Sequence, residues 1–296
     1  MAKLVSLEDV RKNLIEEIIS DYDFVKHTVI GKSLCSRNID CLQIGTNKNM
    51  VLWVGAFHGM EWLTSFLILK FLKNFCFNME YSKEIFGINM KDKLSERGLC
   101  IVPCLNPDGV EISTQGCESA GEYKKSVIEV SKGNTSDWQA NARGVDLNHN
   151  YDAGWIELHS LEIENGVTGP SKTRYGGKFP ESEPETISLV NLCKKSNFEH
   201  AIAFHSQGEV LYWKYGDKIP EKSEIMARIF ALSSGYKLSS PEGLAVGGGF
   251  KDWFILEFNK PAFTVEIGRG KNPLVFSKLD SIYKKVESMM YISALM

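Results

Sequence analysis

The chain has 296 residues, 43% of them hydrophobic and 24% charged, with a formal net charge of -3. That length can bury one substantial core, and no Pro-, Ser- or Gly-rich linker divides it, so one domain over residues 1–296 is expected. The near-neutral charge gives no footing for nucleic acid or an anionic membrane, and no apolar run approaches the roughly 18 residues of a spanning helix, which leaves small or peptidic substrates as partners.

Ser6 and Asp9 form a capping box that opens an amphipathic helix to about Asp21. Two or three short strands follow, through Leu42-Gln-Ile44. Met50 to Phe57 (MVLWVGAF) is a short apolar run of the kind buried in a sheet with both faces covered, and it feeds a helix from Trp62 to about Phe77. Leu99 to Leu105 is another such run, closed by Asn106-Pro-Asp-Gly109, a turn signature. From Gln115 to Gly177 the chain is polar and poorly periodic, and loops that long in a compact domain are usually functional.

Ser182 and Glu185 make a second capping box before a helix to about Asn197. Strands over His200 to His205 and Val210 to Trp213 come next, then a helix near Glu221 to Gly235 and the run Gly247-Gly-Gly249. A short helix over Lys251 to Phe258, a strand Ala262 to Glu266 and a helix from about Lys278 to Ala294 complete the chain. Helices between short buried strands predict an α/β fold whose central sheet is mixed parallel and antiparallel, with helices on both faces.

The opening MAKLVSLEDVRKNL has no apolar segment of signal-peptide type, which points to the cytoplasm. Cysteines at 35, 41, 76, 100, 104, 117 and 193 are odd in number and lack CxxC spacing. They are expected to be reduced, with Cys76, Cys100, Cys104 and Cys193 serving as small core residues. Oligomeric state is not legible from the chain.

Two stretches carry the chemistry. His58-Gly-Met-Glu61 follows one apolar run directly, and His205-Ser-Gln ends another. A catalytic Zn²⁺ takes three protein ligands from imidazole nitrogen and carboxylate oxygen, leaving a fourth position for water. With a helix from Trp62, residues 58 and 61 lie at its first turn, where an i, i+3 pair can grip one ion. Both stretches then sit at the carboxyl ends of strands, where ligands gather in such sheets.

In order along the chain, HxxE, NPDG, GVDLNxNY, SEPE, HSQG and TVEIG closely resemble the zinc carboxypeptidase family of the carboxypeptidase A type, over roughly residues 30–275. The phrases NARGVDLNHNYDAGW, RYGGKFPESEPET and TVEIGRGKNPL look most like its branch that cuts γ-D-glutamyl-diaminopimelate bonds in cell-wall peptides. The resemblance implies one Zn²⁺ per chain on His58, Glu61 and His205. It implies Glu266 as the general base, a carboxylate beside the ion but outside its ligand set. A charge ending the apolar strand Phe263-Thr-Val-Glu266 would be costly in a plain core, which fits that role. For the cation that stabilises the oxyanion the candidate is Arg143, five residues before Asn148 in the loop this family uses for substrate contacts.

Several positions depart from the family's pattern. Arg usually follows the Asn of DxNRN and clamps a terminal carboxylate, whereas this chain reads Asp146-Leu-Asn148-His149-Asn150. Histidine cannot reproduce a bidentate guanidinium. Met60 stands where Arg is common within HxxE, and Leu244 where digestive members carry a mobile tyrosine. Lys251 aligns with the position that tunes the side-chain pocket. With Asn148, His149 and Arg174 it forms the expected substrate-binding set, and its charge would favour an acidic group on the leaving residue.

The leading expectation is therefore a zinc peptidase that hydrolyses the γ-D-glutamyl-diaminopimelate bond of muropeptides. Three alternatives stay open: a conventional metallocarboxypeptidase on α-peptides, a zinc N-acyl amino acid deacylase, and a non-catalytic muropeptide-binding protein. The continuous NPDG, SEPE and EIG set favours a peptidase over a deacylase, and a mere binder need not keep His58, Glu61, His205 and Glu266 together.

Overall fold

A computed structural model describes residues 5–296; the first four residues of the opening segment, included in the signal-peptide reading above, lie outside it. The strands are β1 (Lys26–Lys32), β2 (Asn38–Gly45), β3 (Met50–Val54), β4 (Glu84–Ile85), β5 (Ile88–Asn89), β6 (Gly98–Val102), β7 (Phe198–His205), β8 (Val210–Tyr212), β9 (Lys237–Ser239) and β10 (Ala262–Glu266). The helices are α1 (Leu7–Asp21), α2 (Leu63–Glu80), α3 (Met90–Leu94), α4 (Pro107–Gln115), α5 (Lys124–Ser131), α6 (Trp155–Glu164), α7 (Pro184–Lys195), α8 (Ser223–Ser234), α9 (Phe250–Phe258) and α10 (Leu279–Leu295). No described helix is long and apolar enough to cross a membrane.

Eight strands form one sheet in the order β1-β2-β6-β3-β7-β10-β8-β9. The central four run parallel, while β1 and β2 on one flank and β8 on the other pair antiparallel, as the sequence pattern predicts. Every residue of β3 and of β6 is buried, because helices cover both faces. Alternation divides the core. Val51, Trp53, Ile202, Phe204, Phe263 and Val265 face α1, α2, α8 and α10, whereas Leu52, Val54, Ala201 and Ala203 face α7 and α9.

Strand order places the functional edge. From β3 the chain crosses through α2 to β6 on one side, and β7 is then added on the other side of β3. A crevice opens at the carboxyl ends where the order reverses, which is where ligands bind in open α/β sheets.

Some local readings are corrected. NPDG is a helix start rather than a free turn: Pro107 takes the first helical position, and Asn106 Oδ1 accepts the Gly109 N–H at 2.8 Å. Ser182 does not cap α7. Glu183 precedes Pro184 there, and the Ser182 hydroxyl donates to the Glu183 carboxylate at 2.8 Å. The polar stretch after Gln115 is also better ordered than its pattern suggests, since it contains α5 and α6 and packs Val127 and Trp138 with Ile112 of α4 into a small core. Ser6 does cap α1, accepting from the Asp9 N–H at 3.0 Å, and all seven cysteines are free thiols.

Candidate metal centre and cavity

His58 follows β3 after a tightly fixed turn. The Ala56 N–H donates to the Thr64 hydroxyl, which itself donates to the Glu61 carbonyl, each at 2.8 Å. Gly59 has no room for a side chain, because a Cβ there would lie 2.2 Å from the Gly109 carbonyl oxygen. A short 3-10 turn, Gly59–Glu61, then brings Glu61 back beneath His58. His205 ends β7 and Glu266 ends β10, and the two are direct partners in the parallel ladder. Three neighbouring strands thus deliver residues at or just beyond their carboxyl ends to one spot.

The donor atoms converge there. His58 Nδ1 lies 3.0 Å from Glu61 Oε1, His205 Nδ1 lies 3.0 Å from Glu61 Oε2, and the two Nδ1 atoms are 3.3 Å apart. A tetrahedral ion with bonds of about 2.0–2.1 Å needs ligand atoms roughly 3.3 Å apart, so the set fits Zn²⁺. Among the described residues this is the one His, Cys, Asp and Glu group with metal-holding geometry. Asp146 completes the arrangement from behind. Its Oδ1 takes the His58 Nε2–H at 3.0 Å, which leaves the Nδ1 lone pair for the ion, and its own place is held by the N–H groups of Asn148 and Arg174 at 3.1 and 2.9 Å.

The electrostatics follow from this crowding. Burial opposes charge on Glu61, but the His58 and His205 rings outweigh it and hold its carboxyl down at about 2. Burial likewise works against a charged His58, yet Glu61 and Asp146 raise it well above the ordinary histidine range. Glu266 moves the other way. Burial first, and then the Glu61 charge, push it up to about 8, with His58 pulling weakly down. A divalent cation among these groups would favour neutral His58 and ionised Glu266.

A cavity of about 490 Å³ opens over the centre. It is lined by His58, His205 and Glu266 at the sheet edge and, across from them, by Gln139, Asp146, Asn148, His149, Thr173, Arg174 and Lys251. Asn148 Oδ1 accepts the Phe250 N–H at 3.0 Å, fixing the start of α9. Lys251 is no solvated helix-start lysine. It is 5% exposed, donates to the Lys214 carbonyl at 2.7 Å and pairs with the Asp252 carboxylate. Arg174 is exposed at the rim in a left-handed backbone conformation, with φ of 68°.

Arg143 is not brought to the cavity. Its guanidinium is 44% exposed and reaches Glu183 Oε1 at 3.2 Å, so the pair braces the outside of the loop. Gln139, four residues earlier, lines the cavity instead and carries no net charge. Sequence reasoning passed over Gln139, and it quoted Asp146 without assigning it a task. Asp146 opens the 3-10 turn Leu147–His149 and is buried, and it is the fold that supplies both facts.

Comparison with known proteins agrees with this geometry. The zinc carboxypeptidase family model matches residues 12–291, beyond the span of the motifs alone. A curated relative, gamma-D-glutamyl-L-diamino acid endopeptidase 1 of Lysinibacillus sphaericus, is 34% identical over 276 residues, covering 92% of this chain and 68% of that protein. Among solved structures, carboxypeptidase A from Helicoverpa armigera superposes with a TM-score of 0.72 at 19% identity, over 99% of this chain and 73% of the other. The murein-tripeptide amidase MpaA from Escherichia coli O157 has a TM-score of 0.56 at 19% identity, over 90% and 91% of the two chains.

Proposed function

This chain belongs to the zinc carboxypeptidase family and is a zinc metallopeptidase, and from the build of its cavity we propose that it hydrolyses the γ-D-glutamyl-diaminopimelate bond of cell-wall muropeptides. The observation that carries this reading is His149 in the cavity wall, where a guanidinium fork would clamp an ordinary terminal carboxylate. The name of the Lysinibacillus relative, a γ-D-glutamyl-L-diamino acid endopeptidase, supports it independently.

His58, Glu61 and His205 would hold the ion, with Asp146 orienting His58 through Nε2. Zn²⁺ bound there supplies Lewis acidity toward the scissile carbonyl and makes water easier to deprotonate. Glu266 takes the proton of the attacking water and returns it to the leaving amine as the C–N bond breaks. Lys251 and Arg174 meet the second carboxylate of diaminopimelate, while Asn148 and His149 face the opposite end of the leaving residue. Lys251 contributes less than a free ammonium would, because Asp252 already balances its charge.

The test is a digest of three substrates followed by mass spectrometry: an L-Ala-γ-D-Glu-diaminopimelate peptide, its lysine analogue, and an α-linked peptide ending in Phe or Leu. Lysine keeps the amine and loses the carboxylate, which should cost about 1–3 kcal/mol in kcat/KM because the charge-assisted contact to that carboxylate is no longer made. Preferred release of Phe or Leu would instead mark a conventional metallocarboxypeptidase on α-peptides.

A further inference from the structure

Glu162 takes no part in the reaction outlined above, yet it is 0% exposed and lies directly behind the cavity wall. Its Oε1 is 2.8 Å from His149 Nδ1, and its Oε2 is 3.0 Å from His159 Nδ1 and accepts the Gly176 N–H at 3.1 Å. A carboxylate only accepts, so both rings present Nδ1–H to it. Helix α6 makes the support stiff. His159 stacks on Trp155 with centroids 4.6 Å apart, and the Trp155 indole donates to the Gly176 carbonyl at 3.0 Å.

The backbone of His149 is confined as well. A Cβ at Gly176 or Gly248 would lie 2.7 or 2.8 Å from the His149 carbonyl oxygen, so the turn and its neighbours are in close contact. With Nδ1 committed to Glu162, the ring edge left for the cavity is Nε2. Which nitrogen of a histidine faces a ligand is set by the hydrogen bond made by the other.

We propose that Glu162 is a positioning residue for substrate: it fixes His149 in the Nδ1–H form and aims Nε2 alone at a substrate carboxylate, so that this contact is one hydrogen bond where a guanidinium would make two. The proposal rests on the peptidase reading, but not on which bond is cut. With Nδ1–H held by Glu162, Nε2 donates to an arriving carboxylate when a proton is taken up there with it, and Glu162 faces the resulting charge from behind. A single-donor contact tolerates a carboxylate angled differently, or the single amide carbonyl that replaces it when the leaving residue continues into a longer peptide, which a bidentate fork does not.

The test uses zinc-loaded enzyme with ¹⁵N-labelled histidine, the His149 signals being assigned from the spectrum of His149→Gln. Protonated Nδ1 on His149 is expected in the wild type. In Glu162→Gln that signature should be lost, and KM for the cleaved peptide should rise about tenfold with kcat within twofold, the value of one hydrogen bond to a charged group. A wild-type His149 protonated on Nε2 alone would overturn the proposal, as would a Glu162→Gln enzyme that loses kcat at constant KM. The wild-type spectrum needs no substrate, so its outcome stands apart from the identity of the scissile bond.

Discussion

The two walls of the cavity are held by different physics. On one side, His58, His205 and Glu266 sit at or just beyond the ends of three adjacent parallel strands, with Glu61 one turn further on. Their mutual spacing comes from strand separation, about 4.8 Å, and from a core buried on both faces. On the other side, residues 139–174 contain no strand, and the segment hangs on buried acids: Asp146 on the Arg174 N–H at 2.9 Å, Glu162 behind His149, and Glu183 and Glu185 on the Asn141 amide at 2.7 and 3.3 Å. A wall set by strand register resists drift and loses function only when one of its few terminal side chains is changed. A wall pinned by individual carboxylates can be rewritten one residue at a time, which suits the part of a site that selects substrate.

The largest effects should come from the strand side. His205→Ala removes one of three ligands, and elemental analysis should find the zinc gone and hydrolysis at background. His200 lies on the same strand but points to the far face, where Nε2 meets the Ser293 hydroxyl at 2.9 Å, so His200→Ala should keep its metal even if it is less stable. Undiminished zinc in the His205 variant would break the comparison at its root. Glu266→Gln comes next: zinc should stay, while kcat falls about 10²- to 10⁴-fold because the amide keeps the shape but cannot take a proton. A near-normal rate would require another base.

On the loop side, Arg143→Ala should lower kcat by less than about tenfold. The side chain faces Glu183 and solvent and does not line the cavity, so its loss removes no group that meets the reacting atoms. A loss of about 10²- to 10³-fold in steady-state kinetics would show that Arg143 leaves Glu183 and reaches the oxyanion during turnover.

This contrast also explains what could be read from the chain. The strand wall was legible because burial on both faces writes a continuous apolar run, and a titratable residue at the end of such a run stands out: His58 and His205 after two of them, Glu266 at the end of a third. The loop wall was not, since its order comes from long-range bonds between polar side chains that leave no period in the sequence. Asn106-Pro-Asp-Gly109 read as a turn because the local signal for an N-cap and for a turn is the same Asn-Pro pair. Arg143 was chosen for its charge and its distance from Asn148, but a nearby buried acid, Glu183, decides where a guanidinium points.

A final test, read in stability rather than in activity, asks whether buried acids hold the loop wall. Glu185 is fully buried; it accepts the Leu34 N–H at 3.2 Å and lies near Asp108 and Glu183. Burial first, and then the Asp108 charge, raise its carboxyl from an ordinary 4.5 to about 8. The folded chain therefore binds this proton more tightly than the unfolded chain, so the stabilisation is fully present below the unfolded value and is lost as pH rises through the folded one. Between roughly pH 5 and 8, wild-type unfolding free energy should fall by up to about 1.4 kcal/mol per pH unit relative to Glu185→Gln, whose neutral amide has nothing to lose. Urea unfolding of both proteins at equal zinc saturation across that range isolates the term, because the titration of the metal ligands is common to both and cancels in the difference. Parallel stability profiles would mean that Glu185 is already ionised in the fold, and that the Asn141 loop is held by charge rather than by a shared proton.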